Sequence, residues 1–465
     1  MGIKSYDVIL IGSGSGKTAI QWVLEEEPDK EVAVVEKDEL GGICLNRGCR
    51  PSKQLLYPAD LVRSIEEAHE VGIDGAVRGK DFRAVMDRTR ENQDRAREKM
   101  KETFFARDNV DYYQGTGKFR GPHTLEVNGE TISGDNFFLC TGSKPLIPPI
   151  EGIESVPYLT SRDVFDLQEL PPSIVIVGGG YIGAELGHFF SAMGAEVTII
   201  GRNCQFIPDE DPEISAAVQR EMSNYLELEL GLEVTKVEQL AGGKVALTAE
   251  EGLGEARGYR ASEILIATGR APNNDLLEPE KALVEMDERG WIEVDDELRT
   301  SQGHIWAMGD CIGRYLFKHV AEYEAEIVGE NATNGSNKKV DYSSVPHALF
   351  TRPEAAAVGM SAEEAATEFG EDGVLVGFAR FTDTVKGQAI EASKGMVKII
   401  LTDEGEILGA GIVGPEASIL IQEIVIAMEN NLGIKALASS IYAHPALSKV
   451  VKKASENRIP LGEYR

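Results

Sequence analysis

The sequence predicts an α/β protein with two Rossmann-like domains and a C-terminal α+β domain. At the N-terminus an apolar segment, a glycine-rich turn, a helical segment and a second apolar segment follow one another, and this order returns from residue 174. Such alternation is typical of a parallel sheet covered by helices. After residue 341 the pattern changes to strand segments such as MVKIILTD and ILGAGIVG, followed by helical segments. We therefore expect three structural units.

The overall composition indicates a globular protein with an acidic surface. The chain has 465 residues, of which 42% are hydrophobic, and its formal net charge is -30. The length predicts two to four domains. The negative charge disfavours binding to nucleic acid or to anionic membranes. A high-salt cytoplasm would also explain this charge, and the sequence leaves that question open.

Location is inferred from what the sequence lacks. No apolar stretch approaches the roughly 18 residues of a spanning helix, and MGIKSYDVIL is too polar for a signal peptide. Five cysteines in a long chain without a signal do not indicate a secreted disulfide framework. We expect a cytoplasmic protein.

The first glycine-rich turn, GSGSGKT, fits two phosphate-binding fingerprints incompletely. A nucleotide-hydrolysing P-loop requires a glycine five positions before Gly16, where this chain has Ile11. A dinucleotide-binding turn requires Gly12, Gly14 and a third small residue, but that third position is Lys17. The turn alone therefore does not decide between the two ligands.

The second turn carries a complete dinucleotide fingerprint and resolves this ambiguity. Gly178, Gly180 and Gly183 satisfy G-x-G-x-x-G, with a strand before them and a helix and a second strand after them. Two such units in one chain indicate two dinucleotide cofactors, with electrons passing between them. We then expect Lys17 to be tolerated because the first helix packs less tightly at that point.

Two cysteines lie in the stretch ELGGICLNRGCRPSKQLLY. Cys44 and Cys49 are five positions apart, on or entering a helix. Zinc sites usually need C-x-x-C and further Cys or His ligands, and none follow, so we predict no metal. A helix N-terminus lowers the pKa of a thiol, which favours a reversible disulfide, while a structural disulfide remains the alternative.

The stretch GGICLNRGCRPSK resembles the redox-active signature of the class I pyridine nucleotide-disulfide oxidoreductases. The resemblance extends along the chain through CTGSKP, GGGYIGAE, ATGRAPNND, AMGDC, FTRPEAAAVG and AHPALS, in the order found in the family. It implies an FAD-binding domain over 1–147 and 272–340, an NAD(P)-binding domain over 148–271, and a dimerisation domain over 341–465. It also implies a cytoplasmic homodimer with FAD and NADPH or NADH as cofactors.

The resemblance assigns a role to each matching residue. Those implied to hold FAD are Gly12, Gly14, Glu36, Lys53, Thr141, Gly142, Ser143 and Asp310. Those implied to hold the nicotinamide cofactor are Gly178, Gly180, Gly183, Arg202 and Gly269, with Tyr181 as an aromatic gate over the nicotinamide pocket. Lys53 is implied to reach the flavin and to pair with Glu185.

The implied catalytic residues are the two thiols and a histidine. Cys49 would be the thiolate beside the flavin and Cys44 the thiol that exchanges with substrate. His444 would be an acid and base contributed by the partner subunit of a homodimer. The family usually has a glutamate five residues after this histidine, where this chain has Lys449. Electrons would pass from a nicotinamide through the flavin to a disulfide.

Cofactor preference and substrate are the least determined properties. The second strand of the second unit ends in Gly201 and Arg202 instead of an acidic residue, which favours the 2′-phosphate of NADPH. Arg50 and Lys449 could bind the carboxylates of a small peptide-like disulfide. The predicted function is therefore an NADPH-dependent reductase of a low-molecular-weight disulfide.

Other functions fit the sequence less well. The main alternative is an NAD-dependent dihydrolipoamide dehydrogenase. A mercuric reductase is disfavoured because IPLGEYR lacks the C-terminal cysteine pair. A P-loop ATPase is disfavoured by Ile11, and a flavin-binding subunit without disulfide turnover by the Cys44 and Cys49 pair.

Overall fold

The computed structural model describes residues 3–104, 106–252 and 254–464. Its first region contains the strands β1 (Lys4–Ile11), β2 (Val32–Glu36), β3 (Val110–Gln114), β4 (Gly117–Gly121), β5 (Thr124–Val127), β6 (Glu130–Leu139) and β7 (Ser143–Pro145). Its helices are α1 (Lys17–Glu26), α2 (Gly42–Asn46), α3 (Cys49–Glu67) and α4 (Phe82–Phe104). The strands of the main sheet lie in the order β3-β2-β1-β6-β5-β4.

The sheet is parallel on one side and antiparallel on the other. Strands β3, β2, β1 and β6 are parallel neighbours, and β4, β5 and β6 form an antiparallel meander. The sequence pattern predicts short antiparallel strands throughout residues 110–140, which is wrong for β3. This strand follows the long helix α4, and a crossover through a helix returns the chain parallel to its neighbour.

The second region repeats the parallel arrangement. Its strands are β8 (Leu159–Thr160), β9 (Ser173–Val177), β10 (Glu196–Gly201), β11 (Glu227–Leu230), β12 (Glu233–Gln239), β13 (Val245–Glu250), β14 (Ala256–Ala261) and β15 (Glu263–Ile266), and its helices are α5 (Tyr181–Met193) and α6 (Pro212–Met222). A parallel sheet has the order β11-β10-β9-β15-β8, and β12, β13 and β14 form a separate antiparallel sheet.

The chain then returns to the first region. Strand β16 (Arg270–Pro272) pairs with β7, and β17 (Ile305–Ala307) extends the first sheet beside β6. Helix α7 (Lys318–Asn334) follows. This return brings the segment before α7 to the carboxyl ends of β1 and β6, where ligands bind in open α/β sheets.

The last region is built on an antiparallel sheet. Its strands are β18 (Pro346–Leu349), β19 (Ala355–Gly359), β20 (Val374–Arg380), β21 (Met396–Thr402), β22 (Ile407–Val413) and β23 (Arg458–Pro460). Its helices are α8 (Ala362–Phe369), α9 (Val385–Ala389), α10 (Ala417–Glu429), α11 (Ile434–Ser439), α12 (Lys449–Glu456) and α13 (Leu461–Tyr464). The strand order is β18-β19-β22-β21-β20-β23.

The predicted fold class is confirmed by these sheets: two parallel units are followed by an α+β region. The domain boundaries at residues 147, 271 and 340 stay predictions. In the part of the chain that the structure describes, no helix is both long enough and apolar enough to cross a membrane.

Candidate active site

A cavity of about 370 Å³ lies at the carboxyl ends of β1, β2 and β6. Many of the residues implied by the family resemblance lie on its wall: Gly12, Gly14, Glu36, Cys44, Cys49, Lys53, Thr141, Gly142, Ser143, Tyr181, Glu185 and Asp310. Those outside the wall are Gly178, Gly180, Gly183, Arg202, Gly269 and His444. The structure therefore brings the two thiols together with the first phosphate-binding turn.

The first phosphate-binding turn is held against the sheet by close backbone contacts. Gly12 has a φ of +98°, and a Cβ there would lie 2.1 Å from the carbonyl oxygen of Cys140. A Cβ on Gly16 would lie 2.5 Å from the Leu10 side chain. The close approach lies at Gly16, one residue before Lys17, where α1 begins. Looser packing of the helix at Lys17 stays a prediction. The N-terminus of α1, with its partial positive charge, suits a pyrophosphate.

Glu36 is the last residue of β2 and is buried at the edge of the cavity. Its Oε2 accepts hydrogen bonds from the Ser13 backbone N–H at 2.9 Å and the Ser13 hydroxyl at 2.8 Å. Its Oε1 accepts from the Asp38 backbone N–H at 2.9 Å. These bonds fix the carboxylate beside the turn with lone pairs left over, which fits the hydroxyls of a ribose.

The 141–143 turn is fastened by residues that the sequence analysis did not single out. Arg270 Nε donates to the Ser143 hydroxyl at 2.6 Å, and Asn273 Nδ2 donates to the Ser143 carbonyl at 3.1 Å. The Ser143 hydroxyl in turn bonds Asp310, which lies 3.7 Å from Arg270. Both residues belong to the motif ATGRAPNND, in which the family resemblance assigned a role only to Gly269.

Glu324 is a second residue that the sequence analysis did not single out. It is fully buried on α7, where it accepts from the Gly309 backbone N–H at 2.6 Å and from the Tyr342 hydroxyl at 2.7 Å. Burial raises the pKa of Glu324 to about 7. The carboxyl group thus supports the loop that presents Asp310 to the cavity. The helical spacing does distinguish this glutamate: it lies four residues after Val320 and four before Val328, on the apolar face of α7.

The two thiols lie on consecutive helices. Cys44 is inside α2 and Cys49 is the first residue of α3, and both are free thiols within hydrogen-bonding reach of each other. The hydrogen bond from Cys44, helped by the charge of Lys53, lowers the pKa of Cys49 to about 7. The same bond, followed by burial, raises the pKa of Cys44. A single negative charge shared by this pair therefore resides on Cys49.

Lys53 lies one helical turn after Cys49 and is held by a bidentate contact. Its Nζ is 2.8 Å from both carboxylate oxygens of Glu185, which is buried on α5. The Phe350 backbone N–H donates to the same carboxylate at 3.2 Å, and Lys53 Nζ lies 4.5 Å from the centre of the Phe350 ring. These contacts fix the ammonium group beside the cavity and near the Cys49 thiol.

The second glycine-rich turn forms a separate cradle of close backbone contacts. A Cβ on Gly178 would lie 2.2 Å from the Ala267 carbonyl oxygen, and one on Gly183 would lie 2.1 Å from the Gly178 carbonyl oxygen. Gly180 instead faces open space. Gly269, with a φ of +116°, belongs to the loop after β15 beside this cradle. The close contacts require glycine and leave the backbone accessible to a pyrophosphate.

Arg202 directly follows the end of β10 and is exposed. No ion pair or hydrogen bond engages its side chain within residues 3–104, 106–252 and 254–464. The guanidinium is therefore free to bind an anion at the end of the strand where NAD-binding domains have an acidic residue.

His444 is exposed on the loop between α11 and α12, outside the wall of the cavity. Lys449 begins α12. Within the described ranges, no ion pair is made by either residue. Glu456, at the other end of this helix, lies 3.9 Å from Lys452.

Comparison with known proteins identifies relatives along the whole chain. Residues 6–325 match the model of the family described as pyridine nucleotide-disulphide oxidoreductase, and residues 345–455 match the dimerisation domain of that family. Mycothione reductase of Mycobacterium tuberculosis strain H37Rv is 35% identical, with 97% of this chain and 99% of that protein covered. Dihydrolipoyl dehydrogenase of Haloferax volcanii is 32% identical, with coverage of 97% and 96%.

A solved structure shows the same architecture. The HOCl-induced flavoprotein disulfide reductase RclA from Escherichia coli has a TM-score of 0.86 and 28% sequence identity. The match covers 97% of this chain and 99% of that protein. The relatives thus include both disulfide reductases and dihydrolipoyl dehydrogenases.

Proposed function

Because this chain belongs to the class I pyridine nucleotide-disulfide oxidoreductases, whose members use FAD and NAD(P)H, we propose that it is an NADPH-dependent reductase of a small anionic disulfide. The general activity, an FAD-dependent disulfide oxidoreductase, follows from the family. The proposal adds the cofactor preference, the substrate class and the role of each residue. It rests above all on the asymmetric pair of thiols, with the negative charge on Cys49.

Three features of the cavity fit FAD: the first glycine-rich turn, the buried Glu36 carboxylate, and the 141–143 turn held by side-chain hydrogen bonds. Gly12 and Gly14 would hold the pyrophosphate, and Asp310 would face the ribityl chain. When bound, FAD accepts two electrons as a hydride from the nicotinamide and delivers them to the disulfide of the thiol pair. Lys53 would stand near the reactive edge of the flavin and stabilise negative charge on Cys49.

The thiols then reduce the substrate by two exchange steps. Cys44 loses its proton to a base, attacks one sulfur of the substrate disulfide and releases the first thiolate, which takes up a proton. The Cys49 thiolate attacks the mixed disulfide at Cys44 and releases the second thiolate, which takes up a proton from solvent. Two electrons and two protons convert one disulfide into two thiols. Because the pKa of Cys44 is raised, this sequence needs a base near Cys44.

His444 is the proposed base and acid, and it would act on the partner subunit's thiols. The family's dimerisation domain covers residues 345–455, and the enzyme is a homodimer. Within one chain His444 is exposed and lies away from the cavity. Imidazole can accept and return a proton near neutral pH, as the exchange steps require.

The cofactor preference gives the first prediction. We expect the enzyme to use NADPH with at least about tenfold higher kcat/KM than NADH, because a charged hydrogen bond to a phosphate is worth about 1.5–3 kcal/mol. Arg202→Ala should lower kcat/KM for NADPH by about tenfold and leave that for NADH unchanged. Steady-state kinetics with both cofactors measure this.

Lys244→Ala is the matched control for Arg202. Lys244 is exposed on the turn between β12 and β13, in the same region but away from β10. The Lys244→Ala substitution removes one positive charge and leaves the residues at the end of β10 unchanged. If kcat/KM of the unmutated enzyme for NADH equals or exceeds that for NADPH, the proposed preference is wrong.

The proposed substrate is anionic because several cations lie near the thiols. Arg50 is exposed and follows Cys49 directly. Lys318 lines the cavity, and its charge acts on the thiol of Cys44. A disulfide with carboxylate groups would find partners there that neutral lipoamide would not use. Assaying NADPH consumption with a panel of anionic and neutral disulfides tests the substrate class.

Lys449 gives the second prediction. Its ammonium group stands where the family has a carboxylate, five residues after His444, and a carboxylate beside an imidazole favours the protonated ring. Lys449→Glu should raise the kinetic pKa assigned to His444 by about one unit. It should also weaken the binding of an anionic disulfide more than that of lipoamide. The pH dependence of kcat/KM with both substrates measures the two effects.

Lys453→Glu is the control for this change. Lys453 is exposed on the same helix, so the net charge changes equally. An unchanged pH profile and an unchanged substrate ranking in Lys449→Glu would place Lys449 outside the site. Faster turnover of NADH with lipoamide than of NADPH with any other disulfide would favour the alternative, an NAD-dependent dihydrolipoamide dehydrogenase.

A further inference from the structure

A stack of aromatic rings forms part of the cavity wall. The rings of Tyr181 and His347 have centroids 6.1 Å apart, and those of His347 and Phe317 lie 5.9 Å apart and are parallel within 4°. Tyr181 and Phe317 line the cavity. Tyr181 is one helical turn before Glu185, which holds Lys53. The Tyr181 ring thus stands directly beside the ion pair of the proposed flavin site.

Glu210 binds the polar ends of two of these rings. Its side chain is buried, and its Oε1 accepts a hydrogen bond from the Tyr181 hydroxyl and lies 3.1 Å from His347 Nε2. Its Oε2 is also buried and has no partner among the described residues. Glu210 and His347 border a second cavity of about 50 Å³. A buried carboxylate with one unsatisfied oxygen depends strongly on the two partners of its other oxygen.

The state of the tyrosine supports a donated hydrogen bond. Burial, followed by the charge of Glu210, raises the pKa of Tyr181 above its ordinary value. The Tyr181 hydroxyl therefore stays protonated and donates a hydrogen bond to the Glu210 carboxylate. Because the acceptor is charged and the contact is buried, this bond is stronger than one between neutral groups.

We propose that Glu210 and His347 hold Tyr181 in a closed position across the nicotinamide pocket, so that the cofactor binds only after the Tyr181–Glu210 hydrogen bond breaks. Both are positioning residues that act through Tyr181. The proposal rests on the gate role that the family resemblance implies for Tyr181 and adds what keeps the gate closed. The apparent affinity for the nicotinamide cofactor is then reduced by the fraction of molecules in which Tyr181 is free.

Tyr181→Phe tests this directly because it keeps the ring and removes the hydroxyl. Isothermal titration of the oxidised, FAD-loaded enzyme with NADP⁺ should give a Kd about tenfold lower than that of the unmutated enzyme. In steady-state kinetics the KM for NADPH should fall. A general loss of structure would raise the Kd instead.

Glu210→Gln and Asp209→Asn form a matched pair. Asp209 is exposed beside Glu210, so each substitution removes one negative charge at the same place. Both should tighten NADP⁺ binding through weaker repulsion of the phosphates, but only Glu210→Gln also weakens the bond to Tyr181. The Kd should therefore fall further in Glu210→Gln. Equal Kd values in the two variants would overturn the proposal.

Tyr181→Ala separates the proposed gate from the proposed hydrogen-bond restraint. Tighter NADP⁺ binding in Tyr181→Ala but not in Tyr181→Phe would leave the gate in place and overturn the role of Glu210. An unchanged Kd in Tyr181→Ala would show that Tyr181 is no gate, and the inference would fail with it.

Discussion

Replacing Cys49 with serine is expected to abolish the long-wavelength charge-transfer absorbance of the two-electron-reduced enzyme. The absorbance requires a thiolate against the flavin, and the negative charge of the thiol pair resides on Cys49. A serine hydroxyl does not ionise at neutral pH. Disulfide reduction should fall by at least about 10³-fold, because the second exchange step has lost its nucleophile. Absorbance spectra during anaerobic reduction with NADPH measure the first effect.

Cys44→Ser is the informative counterpart. It should also abolish disulfide reduction, because the exchanging thiol is gone. Cys49 then has no partner for a disulfide and stays a thiolate, so the absorbance should be present even before reduction. If the absorbance survives in Cys49→Ser and disappears in Cys44→Ser, the roles of the two thiols are reversed.

The pH dependence of this absorbance follows from the same pKa shift. The pKa of Cys49 is lowered to about 7, so the thiolate is populated above that pH and the absorbance should fade as the pH drops below it. Lys53→Met should move the midpoint upward, because the cation that favours the thiolate is lost. Glu185 then remains uncompensated and raises the pKa of Cys49 further. The double variant Lys53→Met, Glu185→Gln should therefore have a midpoint between that of the unmutated enzyme and that of Lys53→Met.

Local features of this site can be read from the sequence because their physics is local. The glycines at 12, 178 and 183 each lie where a Cβ would collide with a backbone atom, so the turn geometry itself demands glycine. The thiols are five positions apart across two consecutive helices, a separation that the sequence displays directly. The parallel sheets follow from the alternation of strands and helices.

Contacts between distant segments could not be predicted from pattern alone. Glu185 meets Lys53 across 132 positions, and only the family resemblance pointed to this pair. Glu210 lies in the loop just before α6 and meets His347 of β18, because these segments belong to different regions that pack together. Because Glu210 lies in a loop, no helical or strand periodicity marks it as buried in advance. The orientation of β3 was mispredicted for the related reason that strand direction depends on the connection and not on the strand's own residues.

The second large effect concerns His444. His444→Ala should lower the rate of disulfide reduction by about 10²–10⁴-fold, the usual contribution of a general acid or base. The His444→Ala variant should still reduce an artificial electron acceptor such as ferricyanide, because that reaction needs no proton at the thiols. This second activity also shows that the variant is folded and holds FAD.

A hybrid dimer distinguishes action on the partner's thiols from action within one chain. One subunit carries His444→Ala, the other carries Cys44→Ser, and two affinity tags isolate the hybrid. Each parent homodimer is inactive in both its sites.

If His444 serves the partner, one hybrid site combines an intact Cys44 with an intact His444, and the other site has both defects. The hybrid should then recover about half of the activity of the unmutated dimer, since two equivalent sites are related by the twofold axis. If His444 instead served its own chain, each hybrid site would carry one defect and the hybrid would be as inactive as its parents. The exposure of His444 in the single chain, away from the cavity that holds Cys44, is the reason to expect recovery.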